Sequence, residues 1–306
     1  MKVTASPVQG VYAAALTPRR DGEATIDLAA ALDLIDFLGR SGVDGIALLG
    51  STGEFLHFDL EDRRHLIRFA LKRSPVPVVV NASHSTIDGA LNLAREAASD
   101  GAAGVLLLPP HFFRYGQQEI RAFYLQFAED MEAETPILLY NVPEHAGAIQ
   151  VDTAIELLST GRFAGIKDSS GHLDDLLRLR AVRERVPFRL LVGNDRILAP
   201  AREAGADGAV SGVASAVPEL VCGLDRAVRK GQVGPRQRLE ARLQEFLAWV
   251  ERFPTPVAIR EAARARGIKT GPHAVPLGDT GQRHLEEFRK WFPGWWRSVE
   301  QEVRCI

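Results

Sequence analysis

The stretch Phe163-Ala164-Gly165-Ile166-Lys167 runs apolar up to a lysine, and the polar cluster Asp168-Ser169-Ser170-Gly171 follows at once. Desolvation disfavours the charged form of an amine, and the neutral form is the one that attacks a carbonyl carbon. A lysine closing a buried strand is therefore a candidate nucleophile. Tyr140 stands near the end of another apolar run, Pro136–Asn141, where a phenol hydroxyl can take and return protons. A third run ends in Gly50-Ser51-Thr52-Gly53-Glu54, whose hydroxyls and backbone N–H groups can hold a carboxylate or phosphate oxygen. Each also has an ordinary role open to it. Lys167 serves equally well as a salt-bridge partner of Asp168, Tyr140 as a core tyrosine, and the glycine loop as a plain turn. What sets the three apart is that all stand at strand ends.

The strands are legible as short apolar runs at fairly even spacing, at residues 11–16, 45–50, 77–81, 104–109, 136–141, 163–167, 188–193 and 208–212. Amphipathic segments lie between them, several closing on a glycine that suits a helix C-terminus. Continuous rather than alternating apolar runs fit parallel strands buried on both faces. Eight such units predict an α/β fold, a (β/α)8 TIM barrel, in which chemistry sits at the C-terminal strand ends. A doubly wound open sheet is the competing fold, but no glycine-rich phosphate loop follows the first strand. Strand signals stop after residue 214. The expected organisation is a barrel over 1–224 carrying the active site and a C-terminal helical extension over 225–306. The Arg-rich run from Arg260 to Lys269 is expected to be a solvated helix face. Trp291, Phe292, Trp295 and Trp296 are expected to pack the last helix against its neighbours.

Composition excludes several classes. The 306 residues are 46% hydrophobic and 25% charged with a formal net charge of −2, so no global field recruits nucleic acid or an anionic membrane. No apolar run approaches the roughly 20 residues that span a bilayer, and the first residues lack a signal-peptide core. Cys222 and Cys305 stand far apart with no metal-ligand spacing, which fits a reducing compartment and a cytoplasmic protein.

The ordered set "GSTGE" (50–54), "YNVP" (140–143) and "GIKDSSG" (165–171) resembles the dihydrodipicolinate synthase / N-acetylneuraminate lyase superfamily, with "VYAAALTP", "VGND" and "GADGAVSG" matching along the way. The resemblance implies a class I, metal-independent lyase without a cofactor, usually homotetrameric. Its lysine forms a Schiff base with pyruvate or a pyruvate-derived 2-oxo acid. Carried over, Lys167 is the Schiff-base residue and Tyr140 the acid/base. Ser51 and Thr52 bind the substrate carboxylate, and Gly193 and Val210 lie beside the pyruvyl group. Asn141 shapes the strand exit and is included with the substrate-binding residues.

Two positions depart from dihydrodipicolinate synthases proper. His145 stands where an arginine grips the second substrate's carboxylate, and Phe112 where a tyrosine crosses a subunit interface to relay a proton. Histidine lacks the bidentate fork and phenylalanine has no proton to pass, while Tyr115 serves only if its loop is shifted. These departures point to another hydroxylated 2-oxo acid, such as a 2-keto-3-deoxy sugar acid or 4-hydroxy-2-oxoglutarate. His145, His111, His84 and Asn81 are then candidates for hydroxyl contacts. The alternatives are 4-hydroxy-tetrahydrodipicolinate synthesis from pyruvate and aspartate semialdehyde, a non-catalytic 2-oxo-acid binder, a metal-dependent aldolase using Glu54, His84 and His145, and a phosphate-binding barrel.

Overall fold

The computed structural model describes residues 8–304 except 23, 24 and 133; Cys305 lies outside the described residues. Eight parallel strands close into a barrel in sequence order, so the expected (β/α)8 architecture is present. The strands are β1 (Gly10–Ala14), β2 (Gly45–Leu48), β3 (Val78–Asn81), β4 (Gly104–Leu107), β5 (Ile137–Asn141), β6 (Gly165–Asp168), β7 (Arg189–Val192) and β8 (Gly208–Ser211). Nearly every strand residue is buried, as sheets covered on both faces require. The helices that alternate with them are α1 (Leu28–Arg40), α2 (Leu60–Arg73), α3 (Ile87–Ser99), α4 (Gln117–Asp130), α5 (Val151–Ser159), α6 (Leu173–Val182), α7 (Leu198–Glu203) and α8 (Pro218–Arg229). Three further helices follow: α9 (Val233–Val250), α10 (Val257–Ala265) and α11 (Asp279–Arg304). Residue 224 falls inside α8. Contacts divide the chain into two compact units, Pro77–Val210 with the chain before Val11, and Val11–Val76 with the chain from Ser211 onward.

In the first unit, β5 is backed by Tyr124 of α4, fully buried, whose hydroxyl donates to the Leu107 carbonyl at 2.7 Å. Its ring meets Phe163 edge-on at 5.8 Å. Burial raises the Tyr124 pKa well above an ordinary phenol's, so it acts as a neutral donor that ties α4 to the sheet. Asn81 closes β3: its side-chain oxygen accepts from the Ser83 hydroxyl at 2.6 Å, and Ser83 in turn accepts from the Leu108 N–H at 2.8 Å.

In the second unit, Gly45 of β2 stands in register with Tyr12 of β1, and a side chain at Gly45 would collide with the tyrosine ring. The C-terminal helices join through aromatic rings, as expected from the sequence. Phe246 of α9 stacks on Trp295 of α11 at 5.3 Å, Trp291 lies 5.0 Å from Trp295, and Arg266 sits over Trp296 at 4.0 Å. The expected solvated arginine face is corrected at its first member. Arg260 is wholly buried among Val257–Ala263, with its guanidinium turned to Glu54 and the backbone. Burial also pushes the Cys222 thiol up to about 12, which makes it an inert apolar filler. Among the described residues no helix is long and apolar enough to cross a membrane.

Asp27 caps α1 through the Ala30 N–H at 3.1 Å and reaches Lys269 at 2.6 Å. The Lys269 hydrogen bond, helped by the Ala30 N–H, holds its carboxyl below the usual range. A group with a lowered folded pKa stabilises above its unfolded pKa, and loses that contribution as pH falls through the folded value. Asp27→Ala should therefore lower unfolding free energy by about 1 kcal/mol at neutral pH. Urea titrations repeated towards acid pH should show the difference from the unsubstituted protein shrinking below the carboxylate range.

Candidate active site

The strand pairing that places the chemistry is β5 beside β6, with Tyr140 opposite Lys167 and Asn141 opposite Asp168. Alternation along a strand sends the first pair to one face and the second pair to the other. Lys167 is 4% exposed and its Nζ lies 4.1 Å from the centroid of the Tyr140 ring, itself buried. Among the described residues no carboxylate pairs with the amine. The salt bridge to Asp168 that the sequence left open is not formed. Asp168 instead accepts from the Asn141 side-chain amide at 2.7 Å and from the Ser170 N–H at 3.0 Å.

Gly193 follows β7 and closes on the same lysine. A Cβ there would collide with the Ser169 hydroxyl and stand 2.8 Å from Lys167 Cε, so the absence of a side chain makes room for the aliphatic stem. Val210, buried in β8, lies one step beyond the Val192–Ala209 register pair, level with Gly193. Lys167, Tyr140, Gly193 and Val210 are thus brought together at C-terminal strand ends. Ser169 joins them and was missed. The available signal was period two: it lies two residues beyond Lys167, on the same face.

The other candidates fare differently. Asn141 points to the opposite face from Tyr140, and its carboxamide is engaged by Asp168 and by the Ile149 N–H at 3.0 Å. Asn81 is buried at the end of β3, its side-chain oxygen accepting from Ser83. His84 bonds Thr86 at 3.1 Å. His145 is exposed in the turn after β5, its N–H donating to the Val142 carbonyl. Phe112 is 91% exposed in a left-handed conformation (φ 79°) and meets Phe113 edge-on, while Tyr115 is exposed nearby in sequence.

The Ser51–Thr52 loop is described within the second unit. Thr52 is buried, and Leu49 and Glu54 bracket the loop with left-handed φ of 58° and 51°. Glu54, imagined as a metal ligand, is taken by arginines: Arg260 donates to its Oε2, and Arg19 Nη2 lies 3.7 Å from its Oε1. Desolvation lowers the Arg260 pKa, and the Glu54 carboxylate opposes that shift. Among the described residues no group of three or more His, Cys, Asp or Glu side chains gathers to hold a metal.

A closed parallel barrel with a buried lysine beside a tyrosine at its strand ends, and no acid on the amine among the described residues, is an arrangement that suits class I lyase and aldolase chemistry. Residues 7–292 match the model of the dihydrodipicolinate synthetase family, and the chain belongs to that family. It is 27% identical to a 4-hydroxy-tetrahydrodipicolinate synthase of Methanothrix thermoacetophila over 92% of this chain and 95% of that one. The dihydrodipicolinate synthase of Aquifex aeolicus superposes with a TM-score of 0.85 at 25% identity, covering 94% of this chain and 98% of that one. A sialic acid aldolase of Ruminococcus gnavus shares the fold, with a TM-score of 0.85 at 20% identity over 95% of this chain and 99% of that one.

The Gly193 contact can be tested directly. Gly193→Ala should displace the Lys167 stem and Ser169, slowing covalent capture of a 2-oxo acid by about 10²-fold. Mass-spectrometric timing of the adduct, with circular dichroism to confirm the fold, measures this.

Proposed function

We propose that Lys167 forms a Schiff base with pyruvate or a pyruvate-derived 2-oxo acid, and that the enzyme cleaves or condenses a hydroxylated 2-oxo acid. The observation that carries this is a 4%-exposed lysine with no acid partner among the described residues, set against Tyr140. The neutral amine adds to the keto carbon, water leaves, and an iminium remains. In the cleavage direction Tyr140, as base, takes the proton of the substrate's hydroxyl. The carbon–carbon bond breaks, its electron pair moves to the iminium as an enamine, and an aldehyde departs. Return of a proton to the enamine carbon and hydrolysis release pyruvate and restore Lys167. Condensation is the reverse sequence.

Ser51 and Thr52, with their backbone N–H groups, are assigned to the substrate carboxylate; their loop follows the C-terminal end of β2, and Lys167 stands within the last two residues of β6. Gly193 and Val210 line the pyruvyl group. For the second substrate, Phe112 without a hydroxyl and His145 without a fork favour a 2-keto-3-deoxy sugar acid or 4-hydroxy-2-oxoglutarate. The second reading is condensation of pyruvate with aspartate semialdehyde. It is supported by the names of the relatives, such as that of Methanothrix thermoacetophila.

Incubation with pyruvate and borohydride should add one reduced pyruvyl group, mapped to Lys167. Absence of the adduct, or its placement on another lysine, would end the proposal. Lys167→Ala should remove both adduct and turnover while keeping the fold. Tyr140→Phe should keep the adduct but reduce turnover by about 10²- to 10⁴-fold. A panel of hydroxylated 2-oxo acids assayed for pyruvate release, run beside pyruvate with aspartate semialdehyde, separates the two substrate readings.

A further inference from the structure

The loop Gly50–Glu54 is held in a conformation that its own residues do not favour. Leu49 at one end and Glu54 at the other both adopt left-handed backbone, which costs non-glycine residues and persists only where surroundings impose it. Between them Gly53 leaves no room for a side chain, since a Cβ would stand 3.0 Å from the Ala15 carbonyl oxygen and from Leu49 Cα. Thr52 Oγ1 lies against Gly212, 2.9 Å from where a Cβ would be.

What imposes this shape is a group of buried arginines. Arg260, wholly buried on α10, donates to the Glu54 carboxylate, to the Thr17 carbonyl at 3.2 Å and to the Thr270 carbonyl. Arg19 lies on the other carboxylate oxygen and over the Phe58 ring at 4.3 Å. Arg63, also buried, stacks over Phe55 at 5.1 Å. Glu54, Phe55 and Phe58 are each in contact with a guanidinium. The charges do not balance: Arg19 and Arg260 face the single carboxylate of Glu54. Nε and Nη2 of Arg19 and Nε of Arg260 find no hydrogen-bond partner among the described residues.

We propose that Glu54 is a positioning residue: clamped by Arg260 and Arg19, it fixes the Ser51–Thr52 loop in the shape that selects a carboxylate-bearing ketone over a neutral one. This rests on the Schiff-base reading above. Glu54 touches no reacting atom; its effect passes through the shape of the loop, which its carboxylate anchors to the two arginines.

The test compares pyruvate with hydroxyacetone, a ketone of similar size without a carboxylate, by borohydride trapping on Lys167 across a concentration series. The unsubstituted protein should favour pyruvate. Glu54→Gln should raise the half-saturating pyruvate concentration by about tenfold or more while leaving hydroxyacetone trapping unchanged, because the loop loses the charge-assisted contact to Arg260 that holds its shape. Arg260→Lys, which keeps the charge but loses the fork, should give a smaller shift in the same direction. If Glu54→Gln does not fold, Glu54→Gln with Arg260→Met removes both charges together and is measured in the same way. A general loss of structure would depress both ketones alike and overturn the positioning role, as would an undiminished preference for pyruvate. Absence of any Lys167 adduct in the unsubstituted protein would overturn this inference together with the Schiff-base reading, so the two failures are distinguishable.

Discussion

The register of β5 against β6 is the constraint on which the site depends. It sets Tyr140 opposite Lys167, and the period of a strand then throws Asp168 to the far face, where Asn141 and Ser170 occupy its carboxylate. Had the acid fallen on the lysine's side, a close ion pair in a dry site would have held the amine protonated. Slipping the register by one residue would exchange the two faces. An aromatic ring offers the amine a neighbour that tolerates its charged form without removing its proton. The attraction amounts to roughly 0.5–2 kcal/mol, weak enough to be given up when the amine becomes a nucleophile.

The two compact units handle buried cations in opposite ways. Lys167 has no carboxylate partner among the described residues, and lysine is a residue type that can in general lose its proton. Arg260 and Arg19 cannot, so a carboxylate from the Gly50–Glu54 loop is brought to them. The residue type thus decides the function each burial can serve. An unpaired lysine is a latent nucleophile, whereas a paired arginine is an anchor that fixes backbone. Placing the anchor at the end of the hydroxyl loop transfers that rigidity to Ser51 and Thr52.

Much of the fold was legible because strands buried on both faces are apolar without interruption. The run at 77–81 became β3 at Val78–Asn81, and the others shifted by only a residue or two. Lys167 and Tyr140 stood out because their types are anomalous at such positions. Asn141 was harder to read: it follows Tyr140 in sequence, but consecutive strand residues face opposite ways, and its side chain meets Asp168. Arg260 misled because an arginine-rich run reads as solvated. Its neighbours one turn back and one turn on, Val257 and Ala263, mark the inner face of the helix, but only the distant Glu54 explains the charge there. Pairings across 206 residues have no local signature.

The division between strand ends and loops also accounts for what the chain shares with its relatives and where it departs from them. The proposed chemistry, forming an iminium and moving an electron pair, needs only an amine, a phenol and a carboxylate holder, and the residues proposed for these roles stand at or just after strands. The partner aldehyde would be met by loops, and the two departures, Phe112 and His145, both lie in exposed connections after β4 and β5. On the proposed mechanism a substitution there would alter which aldehyde is accepted without disturbing the enamine, so the common chemistry can stay fixed while the second substrate changes.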